Sequence, residues 1–199
     1  MNRLPAGVNQ SLSLLKNAPV PSFLKTEGMP ALVKNLFLGQ LAFYATYELV
    51  SGPSRMKLKR YFTVTPDSGL QSLATFHFCH TSPLPLLVNL GALGTLGTHV
   101  FRTAGAGAFT SVFGLGCAAA TLAVAMDARS NSKQVQAGSL GASSALLAYS
   151  AFRHPSVFFV MRMQPLTYVA AALAYGIYYD DKAVIGGLGA GYLAFLMAL

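Results

Sequence analysis

The chain has 199 residues, of which 53% are hydrophobic and only 10% charged. Globular domains carry about 25% charged residues, so the composition argues against a water-soluble fold and for a single-domain polytopic membrane protein. The net charge is +8, from 14 Lys and Arg against 6 Asp and Glu. Those charges sit in short connectors between apolar runs, which favours anionic lipid headgroups over nucleic acid as their partner.

Residues 1–30 are expected to form an N-terminal arm. Arg3, Lys16 and Lys25 precede the first acid, Glu27, and Ser11, Ser13 and Ser22 are interspersed with Leu12, Leu14 and Leu15. Basic, serine-containing and acid-free is the pattern of a mitochondrial presequence; an ordinary basic tail is the alternative. Pro5, Pro19 and Pro21 confine any helix there to roughly residues 6–18. An uncleaved segment of this kind is expected to end as a structural arm lying on a partner.

Residues 31–199 are expected to be an all-α membrane domain. Six apolar segments are predicted as helices, at about 31–50, 83–100, 105–126, 137–152, 165–179 and from 183 onward. A helix needs about 20 residues to cross a ~30 Å hydrocarbon core. The last three fall short, which implies a thin local bilayer or shielding by partner proteins. The connector 51–72 is polar and basic, with Gly52-Pro53 and Pro66-Asp67 as turn signals. Its cluster of Arg55, Lys57, Lys59 and Arg60 is the candidate contact for lipid headgroups, with a solvated loop as the alternative. Lys and Arg number 4, 2 and 1 in the connectors on one side and 3, 1 and 2 on the other, so the positive-inside rule fixes no orientation.

Small residues recur at helix-packing spacing. They include Gly91, Gly94 and Gly97, then Gly114 and Gly116, then Gly138 and Gly141, and the pair Gly187 and Gly191. In lipid such residues let backbones approach closely, so a compact bundle is expected. Cys79 and Cys117 are too far apart for a metal or redox motif and are expected to be buried thiols.

Five matches, some of two short runs, carry the functional signal. Phe76-His77-Phe78-Cys79-His80 precedes Leu86-Leu87-Val88-Asn89, and Gly97 is followed by Phe101-Arg102. Gly141-Ala142-Ser143-Ser144-Ala145 lies in an uncharged stretch, 137–152. His154-Pro155 and Tyr178-Tyr179-Asp180 flank the fifth segment, and Ala183-Val184-Ile185-Gly186-Gly187 opens the sixth. In order and spacing these runs resemble the rhomboid family of intramembrane serine proteases and their inactive relatives, over about residues 60–199. The resemblance implies a six-transmembrane-helix bundle. It puts Ser143 at the nucleophile position and Asn89 at the family's asparagine. Pro85 stands where a histidine precedes that asparagine by four residues, Val184 replaces the catalytic histidine, and Ser144 replaces the glycine after the nucleophile.

A serine hydroxyl is a poor nucleophile until a base takes its proton. The four histidines are His77, His80, His99 and His154, and the sixth segment has none. His154 would lie about 16 Å from Ser143 along a continuous helix. His77 and His80 resemble the family's oxyanion-side histidines. Ser143 is expected to bond the carbonyl one turn earlier, and Asn89 to satisfy nearby backbone. Ser143, Asn89, Pro85 and Val184 are therefore expected to be relic positions, with no catalysis, no metal, and no cofactor apart from a structural phospholipid such as cardiolipin. The expected role is a non-catalytic accessory subunit of a large complex in the mitochondrial inner membrane, such as a respiratory complex or ATP synthase, with other membrane subunits and anionic lipid as partners. A component of a protein-import or dislocation machine that binds transmembrane clients is the alternative. An active protease with another base is the third reading.

Overall fold

The computed structural model describes residues 28–65, 69–80, 82–130, 140–156, 158 and 164–198. The expected N-terminal arm lies outside them except for residues 28–30, as do Pro66-Asp67, Gly138 and most of the connector 127–139.

The protein is all-α among the described residues. The helices are α1 (Ala31–Leu49), α2 (Gly52–Phe62), α3 (Leu70–Thr75), α4 (Pro83–Ala92), α5 (Thr98–Ser130), α6 (Leu140–Arg153), α7 (Pro165–Tyr178) and α8 (Lys182–Leu196). A 3-10 turn, Phe76–Phe78, follows α3, and a wide π turn, Leu93–Gly97, joins α4 to α5 without a break. Helix starts follow the sequence. Proline opens α2, α4 and α7, where its missing N–H leaves no bond unmade. Asp181 caps α8, its carboxylate accepting from the Ala183 and Val184 N–H groups at 3.1 and 3.2 Å.

Residues 83–127 form the one helical stretch, among those described, that is long and apolar enough to cross a membrane; α7 and α8 are apolar but shorter. That length count joins two arms. Gly105, at φ 89° and ψ 171°, is non-helical, in a region that side chains other than glycine's hardly enter. A Cβ built on Gly97 would lie 3.2 Å from Cε2 of Phe109. In a straight helix those positions would be about 18 Å apart. Thr121 likewise returns to His77, which precedes the first arm. Residues 83–104 and 106–130 are therefore the two arms of a helical hairpin.

Helices consecutive in the chain alternate in direction. Phe37 of α1 packs with Leu86 and Leu90 of α4, and Arg102 donates to the Gly28 carbonyl, so α1 runs against the first arm. Gly116 and Ala120 of the second arm meet Ala145 and Gly141 of α6, again antiparallel. Gly187 and Gly191 of α8 press on Gly141 and Ala145 of α6, and Gly176 of α7 on Val184 and Ile185 of α8. One end of the bundle thus carries the end of α1, the start of α4, the end of α5, the start of α6 and the α7–α8 turn. We call it the α2 end, because α2 and α3 lie there.

The helix seams are tight where glycine or alanine faces backbone. A side chain at Gly187 would overlap the Gly141 carbonyl, and one at Gly191 the Ala145 carbonyl. Gly97, Gly116, Gly141 and Gly187 sit at close crossings as expected, whereas Gly114 has open space beside it. The central helix is α6, which buries ten of its 14 residues. Its Ala142, Ala145, Leu146 and Tyr149 join Leu93, Val100 and Phe109 in the main core.

Candidate functional site

The site is built where α1, the first hairpin arm and α6 meet below the α2 end. The stripe Val33, Phe37, Gln40 and Tyr47 buries one face of α1, so Gln40 is carried inward with its apolar neighbours. Asn89 is fully buried on α4, and Ser143 is 5% exposed on α6. His80 comes from the connector just before α4 and is also fully buried.

These four side chains form one network. The Ser143 hydroxyl donates to Asn89 Oδ1, and Asn89 Nδ2 donates to Gln40 Oε1. His80 Nε2 lies 3.4 Å from Asn89 Nδ2. One correction follows. Asn89 binds side chains from three directions rather than backbone. The Ser143 hydroxyl donates to the Asn89 amide oxygen, and the carbonyl four residues before it, at residue 139, lies outside the described residues. Gln40 Nε2 and His80 Nδ1 have no partner among the described residues.

Pro85, Ser143, Ser144 and Val184 line one cavity of about 230 Å³. The structure therefore gathers Ser143, Pro85 and Val184, far apart in sequence, around one space, with Asn89 directly behind Ser143. The remaining lining is almost wholly apolar, with Leu84, Val88 and Leu147 among it, and Tyr175 contributes from α7. Leu84, Val88 and Tyr175 are exposed, so the cavity reaches the molecular surface. It lies close to the α2 end, since its walls come from the first turns of α4, α6 and α8 and the last turns of α7.

The chemistry of this arrangement is limited by its proton acceptors. An amide oxygen has no useful basicity, so the bond from Ser143 to Asn89 removes no proton. Val184, lining the same cavity as Ser143, offers only hydrocarbon. His80 contacts Asn89 rather than Ser143, and His77 is held away, its Nε2 2.8 Å from Thr121 Oγ1. Burial lowers both imidazoles to about 4, so both are neutral at pH 7. His77 braces the hairpin and His80 braces Asn89. His99 and His154 pair at the opposite end of the bundle, their ring centroids 5.2 Å apart. No group of three metal-ligating side chains occurs among the described residues. Cys79 is buried, Cys117 is half-buried, and both thiols are free.

Gln40 and the bracing role of His80 were missed from sequence. The available signal was Gln40 as the single polar side chain of the run 36–43, which in lipid calls for a partner.

The basic cluster lies elsewhere. Arg55, Lys57, Lys59 and Arg60 all belong to α2, so this part of the expected connector is a helix, not the solvated loop of the alternative. Arg55 is engaged, its Nη2 3.1 Å from Glu48 Oε1 and its guanidinium 4.6 Å from the Tyr47 ring centre.

Neither a protein-family model nor a curated protein matches this chain.

Proposed function

We propose that the chain is a catalytically inactive, rhomboid-like membrane protein, serving as a structural accessory subunit of a large mitochondrial inner-membrane complex, a respiratory complex or an ATP synthase. One observation carries the inactivity: the Ser143 proton is given to a neutral amide oxygen, and Val184 faces it across an apolar cavity. Six crossings are supported by the alternation of helix direction. Each hairpin arm exceeds the about 20 residues that a bilayer requires.

The accessory role is supported by the outer surface. Leu84, Val88, Leu122, Met126, Ile177 and Leu196 are all more than half exposed. Such a surface needs lipid or protein against it. The three shorter helices, α6, α7 and α8, have 14, 14 and 15 residues. They fall short of a full crossing and gain most from partner shielding. The acid-free basic start of the sequence supports the mitochondrial address.

Native electrophoresis of mild-detergent extracts with mass spectrometry tests the role. Constant stoichiometry with oxidative-phosphorylation subunits is the expected result, and co-purification with translocase components instead would overturn it. Fluorophosphonate labelling tests the inactivity; labelling lost in Ser143→Ala would restore the protease reading.

A second reading, capture of transmembrane clients in an import machine, is favoured by one observation. Helix α7 buries only Pro165 and Gly176, and it walls a cavity that reaches the surface. A loosely held helix beside an open apolar cavity suits a lateral entry.

A further inference from the structure

We propose that α2 is an interfacial helix that lies in the headgroup layer and selects anionic phospholipid, through Lys57 and Arg60 flanked by Met56 and Tyr61. The inference rests on the membrane reading, but not on the identity of the complex.

Residues four apart share a helix face, and in α2 they fall into three stripes. Leu58 and Phe62 point inward, both partly buried, with the Phe62 ring centre 4.1 Å from that of Phe43 on α1. Arg55 and Lys59 form a flank, where Arg55 is taken by Glu48 and Tyr47. The outer face pairs Met56 with Arg60 and Lys57 with Tyr61. All four are exposed, Met56 at 75% and Tyr61 at 51%. Each cation thus has an apolar side chain one turn away. Water alone gives no reason to expose Met56 and Tyr61 beside the charges. A headgroup layer does, since it takes apolar side chains below and phosphates at the level of the cations.

The helix is fixed at that level by its neighbours. Ser72 Oγ donates to the Arg60 carbonyl at 3.2 Å, and Thr75 Oγ1 to the Tyr61 carbonyl at 2.7 Å. The last turns of α2 are thereby clamped to α3. The same end of the bundle carries Tyr175, Tyr178 and Tyr179, exposed and packed ring on ring at the end of α7. Exposed tyrosines mark the interfacial level in a chain without tryptophan. The occupant is therefore the bilayer's own anionic lipid, met by cations free of any acid partner among the described residues. Arg55, part of the cluster singled out in the sequence, does not belong to the contact.

The absence of tryptophan supplies the test. Tyr61→Trp gives a single tryptophan, excited selectively and read in nanodiscs with increasing fractions of brominated phosphatidylglycerol or of brominated phosphatidylcholine. Each basic side chain near an anionic surface is worth about a fivefold preference. Quenching by the brominated phosphatidylglycerol is expected at a several-fold lower fraction than by the phosphatidylcholine. Adding Lys57→Glu and Arg60→Glu is expected to equalise the two, with Lys57→Gln and Arg60→Gln as the milder pair if the first does not fold. Equal quenching before those changes would overturn the lipid selection. No quenching by either lipid would overturn the interfacial placement. Neither result bears on which complex the protein joins, which electrophoresis decides separately.

Discussion

Asn89 sits where α1, α4, α6 and the connector before α4 converge, and its amide serves three partners at once. A neutral hydrogen bond contributes about 1 kcal/mol, but a stranded buried group costs about 1–3 kcal/mol. Ser143→Ala strands only Asn89 Oδ1 and is expected to cost roughly 1 kcal/mol. Asn89→Leu strands Ser143, Gln40 and His80 together and is expected to cost roughly 3 kcal/mol or more. Thermal unfolding in detergent measures both; no loss in Ser143→Ala would mean that Ser143 is no part of the network. His80 adds a pH dependence. Its folded-state pKa is depressed from 6.5 to about 4 by burial. The neutral imidazole is thus the folded form, and its contribution is complete above pH 6.5. That contribution declines as pH falls and is gone below about 4. Stability is expected to drop across that window, and His80→Gln to make the slope shallower. His77, with the same depression, leaves part of the slope in place.

At the level of elements, the hairpin at Gly105 has a single conformational requirement. A residue other than glycine at φ 89° and ψ 171° is strained by roughly 1–3 kcal/mol. Gly105→Ala is therefore expected to lower the unfolding midpoint. Gly107→Ala, two residues on in regular helix with open space beside it, is expected to raise it, by up to about 1 kcal/mol. Like signs for the two variants would show that the arms are not held by the Gly105 turn. The contrast also shows what sequence could supply. Hydropathy located all six apolar helices, and the expected spans 31–50 and 165–179 are observed as Ala31–Leu49 and Pro165–Tyr178. Gly105 was recognisable as the start of a segment, but its backbone angles arise only when the two arms pack. The helix α2 was missed because Gly52-Pro53 reads equally as a turn and as a helix start. Its two inward residues, Leu58 and Phe62, are too few to produce a clear period. In the site, Ser143, Pro85 and Val184 were legible as a set through the resemblance. Gln40 was not, because its partner lies 49 positions away and no local pattern announces it.

The whole molecule is graded from a rigid centre to a loose edge. Helix α6 buries ten of 14 residues and has small-residue seams with both the second arm and α8. Helix α7 also has 14 residues, yet it buries two and meets the bundle through Tyr168, Val169, Ala172 and Gly176. In lipid no hydrophobic force drives helices together, so packing alone must hold α7. Opening of α7 should therefore cost much less than opening of α6. Amide hydrogen exchange of the detergent-solubilised chain is expected to run at least ~100-fold faster in α7 than in α6, a gap of roughly 3 kcal/mol in opening free energy. Assembly with partner subunits should slow α7 selectively if the partners cover its exposed face, Leu166, Leu173 and Ile177. A client-binding protein would instead keep α7 fast until a transmembrane peptide is supplied. Uniform protection of the two helices in the isolated chain would contradict the graded packing, and with it both accounts of what the loose edge is for.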